Sequence, residues 1–243
     1  MSRLAGWDEG VFEAEGRGYP TFRKGTGPGV VIIHEIPGIT PKVQGFAEEV
    51  VDAGFTVVMP SLFGTPGTPM SVPEVVKSVA KVCISKEFTA LATNQTSAIA
   101  GWTRALAKSL HEELGGPGVG ALGMCFSGGF ALAMMVDGHV AAPVLSQPSM
   151  PFAVSRSLGA DLNLSPADLA VVKERVNAGC SVLGLRYAKD RAVGSRFDTL
   201  RRELGDGFLA VELPGKGHSV VTEQRDEESV QRVLAFFRER LAA

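Results

Sequence analysis

The run Val30-Val31-Ile32-Ile33-His34 is β-branched and apolar on both of its alternating faces until its last residue. A strand with no polar face must be covered on both sides, which is the condition of a strand inside a parallel sheet. The pattern recurs at Phe55–Met59, Val119–Met124, Ala141–Ser146, Cys180–Leu185 and Phe208–Leu213. Between these runs lie segments of helical period: Pro41–Ala53, Val72–Val82, Gln95–Glu113, Ser127–Asp137, a helix opened by Ser165-Pro166 and closed at Gly179, and Ser195–Leu204. Glu227–Leu241 follows the last run. Strands alternating with helices of about ten or more residues mean crossover units. An α/β fold is therefore expected: a mostly parallel twisted sheet flanked by helices. Val11–Ala14 and Tyr19–Phe22, joined by Glu15-Gly16-Arg17-Gly18, predict a short N-terminal antiparallel hairpin. No repeat or linker divides the chain, so a single domain over residues 1–243 is expected.

Composition narrows the function classes. Hydrophobic residues make up 45% of the chain and charged residues 21%, which excludes disorder. A formal charge of −2 offers no basic face for nucleic acid or anionic membrane. Leu114–Val136 carries no charge, but its glycines and Pro117 divide it into turn, strand, sharp turn and helix rather than a membrane span. Met1–Gly10 has no apolar run, and three cysteines are too few for a disulfide framework. A cytoplasmic protein with reduced thiols is expected, as a monomer or small homo-oligomer. Cys83 and Cys180 read as structural thiols.

Ligands of open parallel sheets sit at the carboxyl ends of the strands. There Gly123-Met124-Cys125-Phe126-Ser127-Gly128-Gly129 runs from strand directly into helix. Small residues two before and two after Cys125 satisfy the steric demand of a nucleophile elbow. A helix N-terminus would favour a thiolate there, and the Phe126 N–H would face a substrate carbonyl oxygen. A second register, Cys125-Phe126-Ser127-Gly128-Gly129, would make Ser127 the nucleophile of a serine esterase.

A cysteine nucleophile needs a base, and the base an orienting acid. His111 lies in a polar helix, His139 at a helix end, and His34 reads as a satisfied buried histidine beside the site. His218, in the loop Pro214-Gly215-Lys216-Gly217-His218-Ser219 after the last strand, is the candidate base. Asp190, following the strand that starts at Cys180, is the candidate acid; Asp168 and Asp198 belong to helices. Glu35 ends a buried strand in His34-Glu35-Ile36-Pro37-Gly38, where it either pairs with a basic loop residue or adjusts the proton of the Cys125 thiol. The Ile36 N–H is the candidate second oxyanion donor, since Pro37 has none.

Those four segments, in that order, resemble the dienelactone hydrolase family of α/β-hydrolases. The resemblance implies a triad of Cys125, Asp190 and His218. It also implies a Glu35 that takes the thiol proton when substrate arrives. It implies hydrolysis of lactones or activated esters, with no cofactor and no metal, acting on a small molecule through an acyl-thioenzyme. Ser219 and Lys81 are candidates for substrate binding. The chain departs from the family pattern in holding Thr222 four residues past the histidine, where an arginine binds a substrate carboxylate. Some forty residues before the cysteine, only Lys77, Lys81 and Lys86 offer charge. A neutral lactone or ester is therefore expected. The loop from Pro148 to Leu164 would overhang the site. The competing expectations are a non-catalytic ligand-binding protein on this fold and a redox protein using Cys125.

Overall fold

The structure is a computed structural model that describes residues 2–84 and 93–242. Its sheet has eight strands: β1 (Asp8–Ala14), β2 (Arg17–Lys24), β3 (Gly29–Ile33), β4 (Thr56–Pro60), β5 (Val119–Met124), β6 (Val140–Ser146), β7 (Val182–Tyr187) and β8 (Phe208–Leu213). Their order is β1-β2-β4-β3-β5-β6-β7-β8. β1 and β2 form the antiparallel hairpin, and β2 joins β4 antiparallel. All remaining neighbours are parallel. Every residue of β3, β4 and β5 is buried, as their two apolar faces require.

Two layers of helices cover the sheet. α1 (Pro41–Asp52) and α8 (Glu227–Leu241) pack on one face, placing Val43, Phe46, Val50, Phe236 and Phe237 in one core. On the other, α3 (Ile99–Leu114), α4 (Phe130–Met134), α6 (Pro166–Asn177) and α7 (Arg196–Leu204) build a second core around Trp102, Phe130, Val172 and Phe197. α2 (Val72–Ile84) leads into residues 85–92, which are outside the described chain. The Lys81 and Cys83 side chains and Lys86 also lie outside the described residues. No described helix is long and apolar enough to cross a membrane.

Register fixes the site. Ile33 pairs with Gly123, Met124 with Ser146, and Ser146 with Leu185. The residues just beyond the ends of β3, β5 and β6 are thus brought to one edge: Glu35, Cys125 and Gln147.

Several elements differ from the sequence expectation: β1 begins three residues earlier, at Asp8, and α3 four residues later, at Ile99. The helix expected over 127–137 is broken into a 3-10 turn at Cys125–Ser127, the single turn and a half of α4, and a second 3-10 turn at Met135–Asp137. Gly128 and Gly129 enter at once, each costing about 1 kcal/mol in a helix interior. The segment beyond Pro148 contains a short helix, α5 (Arg156–Ala160), capped by Ser155. β7 begins two residues later than expected and runs on to Tyr187.

Candidate active site

The turn after β5 holds Cys125 at φ 52, a left-handed conformation costly for a residue with a Cβ. Two contacts keep it there. Gly123 approaches so closely that a Cβ on it would lie 2.0 Å from the Ser127 carbonyl oxygen. The Ser127 hydroxyl accepts from Met124 N–H at 3.0 Å and reaches the carbonyl oxygens of Ile33 and His34 at 2.9 and 3.0 Å. Ser127 is fully buried and ties the turn to the end of β3. The register that made it a nucleophile is not compatible with this placement, since its hydroxyl faces backbone rather than solvent. Phe126 lies beneath the turn, its ring edge-on to Phe63 and Phe130.

With α4 reduced to five residues, little helix dipole reaches Cys125. The positive group at the thiol is His218. Its Nδ1 donates to Asp190 Oδ2 at 2.7 Å, which leaves Nε2 for Cys125. Asp190 Oδ1 accepts from the Ala192 N–H at 3.0 Å, so the carboxylate is fixed from both sides. Burial alone would lower the His218 pKa. Hydrogen bonds to Asp190 and Cys125, with their charges, outweigh that and push it up to about 11. The loop carrying His218 is itself fastened: Gln224 Oε1 accepts from the N–H groups of His218 and Ser219 at 3.2 and 3.0 Å. Gly217 lies flat under Tyr187, where a Cβ would come within 2.3 Å of the ring.

Glu35 is buried behind this pair. Its Oε2 accepts from Ser219 Oγ at 2.8 Å and from Gln147 Nε2 at 3.3 Å, and its Oε1 accepts from the Thr222 hydroxyl. Burial pushes the carboxyl up, and the Thr222 and Ser219 hydroxyls and the charge of His218 pull back only part of the way. Ligand atoms of Glu35, Cys125 and His218 all lie within 4.8 Å of one another. Ser219 and Thr222 therefore face the buried carboxylate. His34 accepts from Leu62 N–H at Nε2 and donates from Nδ1 to the Glu35 carbonyl; burial lowers its pKa to about 4, so it is a neutral structural ring. His111 is half-buried with its ring 5.6 Å from that of His139.

Two residues of the site left no mark in the sequence reading. Gln147, at φ 34 and fully buried, directs its amide between Glu35 and the His218 loop: Oε1 accepts from Val220 N–H at 3.3 Å and from the Ser146 hydroxyl. A second non-glycine residue at positive φ beside Cys125 is a signal only coordinates can give. Arg196, 1% exposed, donates to the carbonyls of Met150, Pro151, Leu158, Ala192 and Val193. It joins the Pro148–Leu164 segment to the turn that follows Asp190. Burial lowers its pKa to about 10, which still leaves it charged.

Two arginines on neighbouring elements are committed elsewhere. Arg186 pairs with Glu212 and lies over the Phe197 ring; Arg225 pairs with Glu49 and Glu227. A cleft of about 800 Å³ that Arg225 lines with Phe46, Tyr187 and Thr222 lies behind the Glu35 cluster and includes neither Cys125 nor His218.

The model of the dienelactone hydrolase family matches residues 17–162. No curated protein matches the chain. Among solved structures, the dienelactone hydrolase from Anabaena variabilis ATCC 29413 is similar at a TM-score of 0.68 and 16% identity, with 97% of this chain and 98% of that one covered. A structure described as a putative dienelactone hydrolase from Klebsiella pneumoniae subsp. pneumoniae MGH 78578 gives 0.63 and 18%, over 97% and 98%. A cold-adapted esterase from an Arctic intertidal metagenomic library gives 0.60 and 16%, over 98% and 100%.

Proposed function

The chain belongs to the dienelactone hydrolase family, a family of carboxylic ester and lactone hydrolases, and on that premise we propose that it cleaves an uncharged lactone or activated ester through Cys125. The observation that carries the proposal is the chain Asp190–His218–Cys125, with Glu35 beside the thiol. Asp190 holds His218 in the tautomer whose Nε2 meets sulfur, the arrangement a cysteine nucleophile requires.

Substrate arrives with its carbonyl oxygen toward the N–H groups of Ile36 and Phe126. Glu35, whose burial makes its carboxylate a stronger base than an exposed one, takes the thiol proton. Sulfur bonds to the carbonyl carbon and the oxygen takes the negative charge, stabilised by the two N–H donors. Losing one such donor typically costs about 10²–10³ in turnover. The C–O bond breaks, and the protonated His218 gives its Nε2 proton to the leaving oxygen. His218 then removes a proton from water, which attacks the thioester and expels the thiolate, and Glu35 returns its proton to sulfur. A stabilised leaving group suits this route, because thiolate and leaving oxygen compete at the tetrahedral stage.

Uncharged substrates are favoured by Thr222 being spent on Glu35 and by Arg186 and Arg225 being paired with carboxylates elsewhere. The test is rapid-quench mass spectrometry with an activated ester. An acyl adduct on Cys125, lost in Cys125→Ala, supports the proposal; turnover without an adduct, or turnover by Cys125→Ala, refutes it.

A further inference from the structure

Seen as ligands rather than as catalysts, the same three side chains have the composition of a zinc site. We propose that Cys125 Sγ, His218 Nε2 and a Glu35 oxygen bind one zinc ion, and that occupancy reversibly shuts the hydrolase. Thiolate, imidazole and carboxylate are the donors zinc takes, and three protein ligands with one open position is the arrangement of exchangeable zinc. Tetrahedral bonds of ordinary length put such donors roughly 3.3–3.6 Å apart. Here they lie within 4.8 Å of one another. A closure of about 1 Å is needed, within reach of rotation of the Cys125 side chain.

The surroundings are those of a prepared ligand set. His218 donates its other ring nitrogen to Asp190, which fixes the tautomer and aims Nε2 at the metal position. Glu35 is oriented by Ser219, Gln147 and Thr222, all neutral donors. An arginine against that carboxylate would compete with a cation, and none of the described arginines touches it. Cys125 and His218 are both half-buried, so solvent reaches the fourth position. Alkaline-earth ions, which prefer all-oxygen sets, are excluded by the thiolate and the imidazole. Binding displaces the acidic protons of the thiol and imidazole into solvent and involves no redox change.

Metal binding needs no hydrolase chemistry; only the loss of activity rests on the proposed function. The experiment titrates chelator-treated full-length protein with zinc against a chromophoric zinc indicator, alongside ester hydrolysis. One tight equivalent per chain is expected, with hydrolysis lost in parallel and restored by EDTA. Cys125→Ser and Glu35→Gln should each remove the tight equivalent, and Asp190→Asn should weaken it about 10–100-fold through His218. His139→Ala, which removes the other histidine pair, should leave it unchanged. Cobalt replaces zinc in a second measurement that does not depend on affinity: a thiolate-to-cobalt band is expected, absent in Cys125→Ser. Zinc retained by Cys125→Ser, lost from His139→Ala, or bound with full activity overturns the proposal. If the tight equivalent follows Cys125 while wild-type protein hydrolyses no ester, the metal site stands and the hydrolase reading fails.

Discussion

Replacing Ser127 by alanine separates the two registers of the turn, because each assigns the hydroxyl a different job. In the structure that hydroxyl is the acceptor for Met124 N–H and a donor to the end of β3. Alanine leaves the Met124 N–H buried without a partner, a cost of about 1–3 kcal/mol. The Ile33 and His34 carbonyls lose less, since each keeps a second lone pair. For a chain of this size about 1 kcal/mol moves the midpoint by roughly 2–4 °C. Ser127→Ala should therefore melt roughly 2–12 °C below wild type. Its kcat/KM for an activated ester should fall by less than about tenfold, since Gly123 and the remaining hydrogen bonds still hold the turn. Thermal melts and steady-state kinetics on the same preparation decide the matter. An unchanged melting temperature together with abolished turnover would refute the reasoning and return the nucleophile to Ser127.

His218→Ala should lower turnover by roughly 10²–10⁴, the scale of losing a general base. Asp190→Asn removes the largest influence raising the His218 pKa. Because the folded value stands above the ordinary 6.5, the histidine stabilises the wild type fully below pH 6.5 and loses that contribution as pH rises toward about 11. The gap in melting temperature between wild type and Asp190→Asn should thus shrink across that window; a gap that widens with pH contradicts the ion-pair assignment. Thr222→Val takes one donor from Glu35, so its carboxyl rises further and the acid limb of kcat/KM should move to higher pH; a stationary limb means Glu35 does not govern it. A carboxylated lactone should react no better than its methyl ester. A tenfold preference for the acid that weakens with salt would reveal a basic pocket.

The parallel sheet was legible because its strands are apolar on both faces, and β5 was placed at Val119–Met124 from glycine-bounded hydrophobicity alone. Asp190 and His218 were legible from chain order and from their position just past strand ends; their contact at 2.7 Å joins loops 28 residues apart. The length of the helix after Cys125 was not legible, because a fully buried helix has no polar face to mark its ends. The partners of Glu35 were not legible for a related reason. A buried carboxylate satisfied by hydroxyls and an amide leaves no complementary charge in the sequence, so its partners look like ordinary polar residues. Arg196 was hidden in the same way, as one more cation in a helix already rich in arginine.

Arg196 also limits how this scaffold could be remodelled. Two segments that a designer would treat as separate modules share one guanidinium: the Pro148–Leu164 stretch and the turn behind Asp190. A graft that brings in a foreign stretch leaves the cation facing carbonyls that are no longer in place. A lysine substitute cannot repair that, since one ammonium cannot span five acceptors in a fixed plane. The workable unit of exchange is the pair, residues 148–164 carried together with 190–196. A swap of the first alone should disturb the acid that orients His218 even though it touches no catalytic side chain.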